Sequence, residues 1–200
     1  MKYTCAYCQK HSCHKNNLED APTNCPTKNE KEKIEETINL YKEEENYNIA
    51  KISAEVVMDN YGEKTRVKEI VDFCKKMNYK KIGLAFCVGL AKEANIFIQI
   101  LKNNGFEVES IICKIGSVNR EIIGIEGCDV PMCNPIGQAE FLNEVKTEFN
   151  IVLGLCVGHD TLFFKYSEAP VTVLAVKDRV LAHNPLGALY LSDGYFKNKV

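Results

Sequence analysis

The sequence lacks several features that would place it at once in a common functional class. It has no tryptophan, and its net charge of only −2 gives no reason to expect a nucleic acid or an anionic membrane as a partner. No apolar run approaches the roughly 18 residues of a membrane span. The motifs G-x-G-x-x-G, P-loop and G-x-S-x-G are missing, so dinucleotide-binding, nucleotide-triphosphate-binding and hydrolase functions lack support.

Cysteine, by contrast, is abundant, with ten residues in a chain of 200. The first residues carry no apolar stretch typical of an export signal, so we expect a soluble cytoplasmic protein. Disulfides are rare in that compartment, where clustered cysteines usually bind a metal or a cluster, or act as redox-active thiols.

The first 28 residues form a cysteine-rich segment that we expect to bind one metal ion or cluster through Cys5, Cys8, Cys13 and Cys25. Few apolar residues lie between these cysteines, so the segment cannot bury a core of its own and metal binding must supply its folding free energy. His11 and His14 could replace a cysteine in a zinc site, or could be exposed loop residues.

The spacing of these four cysteines leaves the identity of the metal open. Structural zinc sites usually join two compact pairs, whereas two, four and eleven residues separate the cysteines here. Iron–sulfur clusters accept less regular spacing, and Cys25-Pro26 resembles the Cys-Pro ending of ferredoxin motifs. Both a [4Fe–4S] cluster and zinc therefore remain candidates.

Residues 29–79 are predicted to form a helical connector that packs on the main domain. Apolar residues at helical spacing (Ile34, Ile38 and Tyr41) occur in the charged stretch 27–46. A second apolar stripe predicts a helix over 63–78. Cys74 lies in that stripe, which favours core packing over metal ligation.

Residues 80–200 alternate between strand-like and helix-like patterns. Short apolar runs predict strands over 80–89, 106–116, 150–160 and 170–178, and a helix over 91–105 that ends at Asn104-Gly105. This alternation is typical of parallel βαβ units. We therefore expect an α/β domain with an open, mainly parallel, Rossmann-like sheet of at least four strands and helices on both faces.

A short repeat indicates that this domain is internally duplicated. Cys-Val-Gly occurs at 87–89 and 156–158, and "CNPIG" (133–137) matches "HNPLG" (183–187). Asn134 and Asn184 are suitable N-caps, and the prolines after them suit a first helical position.

The repeat also predicts a second site at the carboxyl edge of the sheet. Ligands of open parallel sheets bind beyond the carboxyl ends of the strands. The predicted lining residues are Cys87, Cys128, Cys133, Cys156 and His183. Cys87 and Cys156 could instead be buried apolar residues, while Cys113, at the end of the second strand, stays unassigned.

Four polar residues that follow the third and fourth strands are candidate catalytic groups: His159, Lys177, Asp178 and Arg179. His159 could be a ligand or an acid–base group. The other three could bind a substrate or an anion, or could form a surface ion-pair cluster. Asp160 is a candidate N-cap for a helix that starts at Thr161.

Taken together, these motifs resemble those of an uncharacterised cysteine-rich family found mainly in anaerobic bacteria and archaea. The resemblance rests on the N-terminal Cys-x2-Cys-x4-Cys, "NCPTK" (24–28), "CNPIGQAEFLN" (133–143) and "CVGHDTLFFKYSEAPVTVLAVKDRVLAHNP" (156–185). It implies metal binding through the cysteines and no assigned reaction.

Two classes of function follow from these patterns. One is a metal-binding protein that carries out redox or sulfur chemistry on a small molecule at the sheet edge. The other is a non-catalytic zinc-binding, metal-sensing or interaction protein. The sequence does not decide between an enzyme and a binding protein, and it names no protein partner.

Overall fold

The computed structural model describes residues 2–59 and 61–199. The chain divides into two compact units, Met1–Asp59 and Asn60–Val200. The first unit contains the helices α1 (Pro26–Asn29), α2 (Lys31–Asn39) and α3 (Glu44–Met58). The domain boundaries expected after residues 28 and 79 stay predictions, although the chain divides at residue 59.

The second unit is built on a four-stranded, all-parallel sheet, which confirms the predicted fold class. Its elements in chain order are α4 (Arg66–Lys76), β1 (Lys81–Phe86), α5 (Ala91–Asn103), β2 (Glu107–Ile112), α6 (Pro135–Glu144), β3 (Phe149–Leu153), α7 (His159–Tyr166), β4 (Val171–Ala175) and α8 (Leu186–Tyr190). The strand order is β2-β1-β3-β4, so β1 and β3 are central. The order strand, helix, strand, loop, helix occurs twice, as the sequence repeat predicts.

Two apolar cores cover the two faces of this sheet. On one face, α4 and α5 pack against residues such as Leu84 and Ile151. On the other face, α6 and α7 pack against Ala85 and Val152. Successive strand residues point to opposite faces, so each central strand contributes to both cores.

Helix α4 shows how the sequence specifies its own packing. Thr65 caps the helix by accepting a hydrogen bond from the backbone N–H of Lys68 at 3.3 Å. The predicted stripe faces inward, with Ile70, Val71 and Cys74 buried. Burial raises the pKa of the Cys74 thiol to about 12. Cys74 is therefore a core residue, as predicted.

The two Asn-Pro motifs behave differently. Asn134 caps α6, since its Oδ1 accepts a hydrogen bond from the backbone N–H of Gly137 at 2.9 Å, and Pro135 begins the helix. In the second motif the cap prediction was wrong: α8 begins at Leu186, and Asn184 makes no side-chain cap. The Gly187 N–H instead donates to the backbone carbonyl of Asn184 at 3.1 Å.

Other boundaries also differ from the predictions. Helix α7 begins at His159 rather than Thr161, so Asp160 lies in its first turn and accepts a hydrogen bond from the Thr161 N–H at 2.8 Å. All four strands are shorter than predicted, because their last predicted residues turn toward the next element. The long helix α3 lies within residues 29–79, the stretch predicted as a helical connector, although no separate helix was assigned to residues 47–58. Within the described residues, no helix is long and apolar enough to cross a membrane.

Candidate functional site

The carboxyl ends of the four parallel strands lie along one edge of the sheet, and four cysteines meet there. Cys87 directly follows β1 and Cys113 directly follows β2. Cys156 lies between β3 and α7, and Cys133 lies two residues before α6. We call these four residues the sheet-edge thiol cluster.

Strand pairing places Cys87 and Cys113 side by side. The last paired residues of β1 and β2 are Phe86 and Ile112. The ladder continues one step further, because the Cys113 N–H donates to the Phe86 carbonyl at 2.8 Å. Both cysteines are buried in the same apolar core, so they lie on the same face of the sheet. The Cys113 side chain also contributes to the pKa shift of Cys87.

The groups near the Cys87 sulfur act on the pKa of its thiol in opposite directions. Burial alone would raise the pKa of its thiol, but the backbone N–H of Gly89 and the ammonium group of Lys177 favour the thiolate. These donors, together with Cys113, bring the pKa of Cys87 below its ordinary value. Cys87 is therefore the activated thiol of the cluster.

The pKa of the Cys113 thiol is shifted in the opposite direction. Burial raises the pKa of its thiol to about 11, and the neighbouring sulfurs of Cys133 and Cys87 add to the rise. One backbone donor opposes this effect, since the Val88 N–H donates to the Cys113 Sγ at 3.3 Å. Cys113 therefore holds its proton at a pH where Cys87 can lose its own.

Cys133 and Cys156 are the other two thiols of the cluster. Cys133 contributes to raising the pKa of the Cys113 thiol, and the backbone N–H of its neighbour Asn134 donates to the Cys113 carbonyl at 2.8 Å. Cys156 accepts a hydrogen bond from the Arg179 guanidinium at 3.3 Å. This contact raises the pKa of Arg179, and the more distant Cys87 and Cys133 contribute to the rise. Cationic side chains and thiols thus occupy the edge together.

Cys128 and His183, also predicted to line this site, have other contacts in the part of the chain that the structure describes. Cys128 borders a separate depression with Asp129 and Glu121, and its Sγ lies 4.0 Å from the Val130 carbonyl. His183 is folded against its own loop: its Nδ1 accepts a hydrogen bond from the Asp178 N–H at 3.1 Å. Neither contact involves the sheet-edge thiol cluster.

Two of the four candidate catalytic residues, Lys177 and Arg179, act on the sheet-edge thiol cluster. Arg179 donates to the Cys156 sulfur, and Lys177 lowers the pKa of Cys87. Asp178 shapes the loop after β4, because its Oδ1 accepts hydrogen bonds from the Val180 and Leu181 N–H groups at 2.9 and 2.8 Å.

His159 begins α7, and its backbone N–H donates to the Cys156 carbonyl at 2.9 Å. Burial and the positive charge of Lys114 lower the pKa of His159, against an opposing effect of Asp160. The imidazole is therefore mainly neutral near pH 7.

Gln138 supports the edge and was not identified from the sequence. Its side chain is fully buried, and its Nε2 donates to the carbonyls of Phe86 at 3.2 Å and Ile111 at 2.7 Å. Phe86 directly precedes Cys87, and Ile111 lies two residues before Cys113. Its Oε1 has no hydrogen-bond partner among the described residues. A glutamine on the inward face of a helix was the available signal, because a polar residue at that position needs buried partners.

The first unit contains a separate cysteine site. Cys5, Cys8, Cys13 and Cys25 border one cavity of about 80 Å³, together with His11. The cavity is held by polar contacts, such as the hydrogen bond from Asn24 Nδ2 to Thr4 Oγ1 at 2.6 Å. The Lys28 backbone N–H lowers the pKa of the Cys25 thiol.

These residues are suited to a metal, although they are not arranged as a ready coordination sphere. Across residues 2–59 and 61–199, no group of three or more His, Cys, Asp or Glu side chains is placed to hold an ion. The donor set nevertheless suits one, because four thiols surround a single cavity. Between residues 2 and 29 only Ser12 and Ala21 are buried, so the segment has almost no apolar core.

Comparison with known proteins agrees with the resemblance seen in the sequence. The chain is 46% identical over 190 residues to an uncharacterized protein, MJ0455, from the archaeon Methanocaldococcus jannaschii, and the match covers 93% of each chain. Residues 25–174 match the family described as "Protein of unknown function (DUF1847)". The family match includes Cys25 and the whole sheet-edge thiol cluster, whereas Cys5, Cys8 and Cys13 precede it. The chain belongs to the DUF1847 family of proteins of unknown function.

Proposed function

We propose that this protein binds a metal through Cys5, Cys8, Cys13 and Cys25, either as a [4Fe–4S] cluster or as zinc. The observation that carries the proposal is that four cysteines spread over 21 residues of chain border one cavity. Binding would draw the four sulfurs inward, and its free energy would replace the missing apolar core.

The two candidate metals would give the segment different chemistry. A [4Fe–4S] cluster would supply electron transfer, and the four cysteines that bind such a cluster can have the irregular spacing seen here. Zinc supplies a closed structural site, in which His11 could take the place of a cysteine because it borders the same cavity.

We further propose that the sheet-edge thiol cluster carries out redox or sulfur chemistry on a small molecule. Support comes from the pairing of thiols with cations: Lys177 stabilises the Cys87 thiolate, and Arg179 donates to Cys156. A stabilised thiolate is the reactive form of cysteine. His159 would remain an uncharged group beside the edge and could accept a proton.

A second candidate function is a non-catalytic zinc-binding or metal-sensing protein. Cys5 and Cys13 are exposed, and this exposure favours an ion that can exchange with the surroundings. In that case the sheet would serve as an interaction module, and the thiols at its edge would take no part in a reaction.

Anaerobic purification followed by metal analysis, sulfide analysis and a visible spectrum tests the N-terminal proposal. We expect one cluster or one zinc ion per chain. Cys8→Ala should release it, whereas Cys128→Ala, which removes a thiol of the second unit, should retain it. A chain that contains no metal, or a Cys8→Ala variant with unchanged metal content, would contradict the assignment.

A further inference from the structure

We propose that Cys87 and Cys113 form a redox-active dithiol that exchanges with the disulfides of small thiol compounds. Cys87 is the attacking thiol and Cys113 is the resolving thiol. This inference rests on the proposed thiol chemistry of the sheet edge, and it is independent of the metal in the N-terminal segment.

The geometry for a disulfide comes from the sheet itself. Neighbouring strands lie about 4.8 Å apart, and Cys87 and Cys113 continue the pairing of Phe86 with Ile112. A separation of this size falls within the range of about 4.4–6.8 Å between the Cα atoms of disulfide-bonded cysteines. The backbone spacing expected for the two cysteines is therefore compatible with a disulfide.

The surroundings divide the roles between the two thiols. Lys177 and the Gly89 N–H stabilise a negative charge on Cys87. The Lys177 Nζ and the Cys87 Sγ both lie beside Gly89, because a methyl group on the Gly89 Cα would be within 4 Å of each. Cys113 is more deeply buried, with 2% of its surface exposed against 7% for Cys87. Both thiols are buried, and the difference between them is one of charge: the surroundings favour a thiolate at Cys87 and a thiol at Cys113.

The small exposure of Cys87 also limits its substrate. With 7% of Cys87 exposed, little room is left for a bulky partner, which favours the small, flexible disulfide of a low-molecular-weight thiol. The nearby thiols of Cys133 and Cys156 do not fit the role equally well. Cys133 follows a loop rather than a paired strand. Phe86 pairs with Leu153, so Cys156 lies two residues beyond the position opposite Cys87.

The proposed reaction balances in two steps. The Cys87 thiolate attacks one sulfur of the substrate R–S–S–R, so a mixed disulfide forms and R–S⁻ leaves. Cys113 then gives its proton to the departing thiolate and attacks the Cys87 sulfur, which releases the second R–S⁻. The protein dithiol is oxidised to a disulfide, and the substrate disulfide is reduced to one thiol and one thiolate.

Trapping the intermediate tests this assignment. The full-length protein, purified without oxygen, is treated with bis(2-hydroxyethyl) disulfide, and its cysteines are mapped by mass spectrometry. We expect a Cys87–Cys113 disulfide in the wild type. Cys113→Ser should instead accumulate one mixed disulfide on Cys87, because the resolving thiol is missing.

Matched variants test the activation of Cys87. Lys177→Met should slow formation of the mixed disulfide in the Cys113→Ser background by a few-fold, because a higher thiol pKa leaves less thiolate while only partly raising its nucleophilicity. Lys92→Met removes an exposed lysine of α5 and should leave the rate unchanged. A rate that is equal for Lys177→Met and Lys92→Met would overturn the role of Lys177.

Three results would overturn the dithiol itself: thiols that stay reduced in the wild type, a disulfide between Cys113 and Cys133, or adducts on Cys156 with Cys87 unmodified. A second metal ion that is lost only in Cys87→Ser would also overturn it, in favour of a metal site at the edge. The wild-type map gives an answer even if a variant fails to fold. Metal content separately reports the N-terminal site, so the two proposals can fail independently.

Discussion

Replacing Gly83 by alanine should strongly destabilise the sheet, and the reason lies in one buried contact. Gly83 lies within β1, opposite Asn150 of β3. A methyl group on its Cα would overlap the Asn150 Oδ1 and would lie 3.0 Å from the Leu142 Cδ1. The contact therefore leaves no room for any side chain at position 83.

The size of the expected loss in stability depends on how firmly the Asn150 side chain is held. Its side chain is fully buried, its Oδ1 accepts a hydrogen bond from Thr147 Oγ1 at 2.8 Å, and its Nδ2 donates to Ser167 Oγ at 2.9 Å. Overpacking costs about 1–3 kcal/mol, and loss of buried hydrogen bonds adds about 1–3 kcal/mol. We expect the free energy of unfolding to fall by about 2–6 kcal/mol.

Urea unfolding followed by circular dichroism measures this change, and Asn150→Ala provides the matched partner. In the double variant the new methyl group occupies the space left by the amide, so the two effects should not add. Without the clash, alanine would stabilise the protein by about 0.4–1 kcal/mol, because it restricts the unfolded chain. A Gly83→Ala variant as stable as the wild type, or fully additive effects in the double variant, would refute the reasoning.

Three further predictions concern groups whose environments differ sharply. Cys74→Ser should lower the free energy of unfolding by about 1–3 kcal/mol, since it places a hydroxyl in an apolar core; a scan of urea concentrations checks this. Alkylation by iodoacetamide should reach its maximal rate at lower pH for Cys87 than for a free thiol, while Cys74 in the native protein stays unmodified; peptide mapping distinguishes them, and equal pH profiles would contradict the thiolate assignment. Asp72 should stabilise the fold by less than about 1 kcal/mol. Although partial burial opposes ionisation, its contacts with Lys68 and Lys64 lower its pKa. The stabilisation is therefore present above the unfolded-state pKa of about 3.9 and is lost as the pH falls through the lower folded-state pKa. The stability difference between wild type and Asp72→Asn should vanish in acid.

The architecture of the second unit follows closely from local sequence patterns. Apolar runs separated by helical periodicity predict parallel βαβ units, and the structure has four parallel strands with helices on both faces. Burial of Cys74 was predictable for the same reason, because it lies on the inward stripe of α4. Such patterns repeat over many residues, so an error at one position does not change the result. Helix boundaries are less reliable, as the start of α8 shows, because they depend on single capping contacts.

The composition of the thiol cluster depended on tertiary structure. Proximity to a strand end was visible in the sequence for Cys87 and Cys156. The partner of Cys87, however, is selected by the register between β1 and β2, which brings Cys113 beside it. The path of the loop after β4 likewise decides the contacts of His183, which lies against the backbone of Asp178. The sequence by itself determined the class of fold, the abundance of thiols and the edge of the sheet where they gather, since these depend on local periodicity. Only the tertiary structure decided which thiols and cations touch, because strand register and loop paths join residues that are distant along the chain.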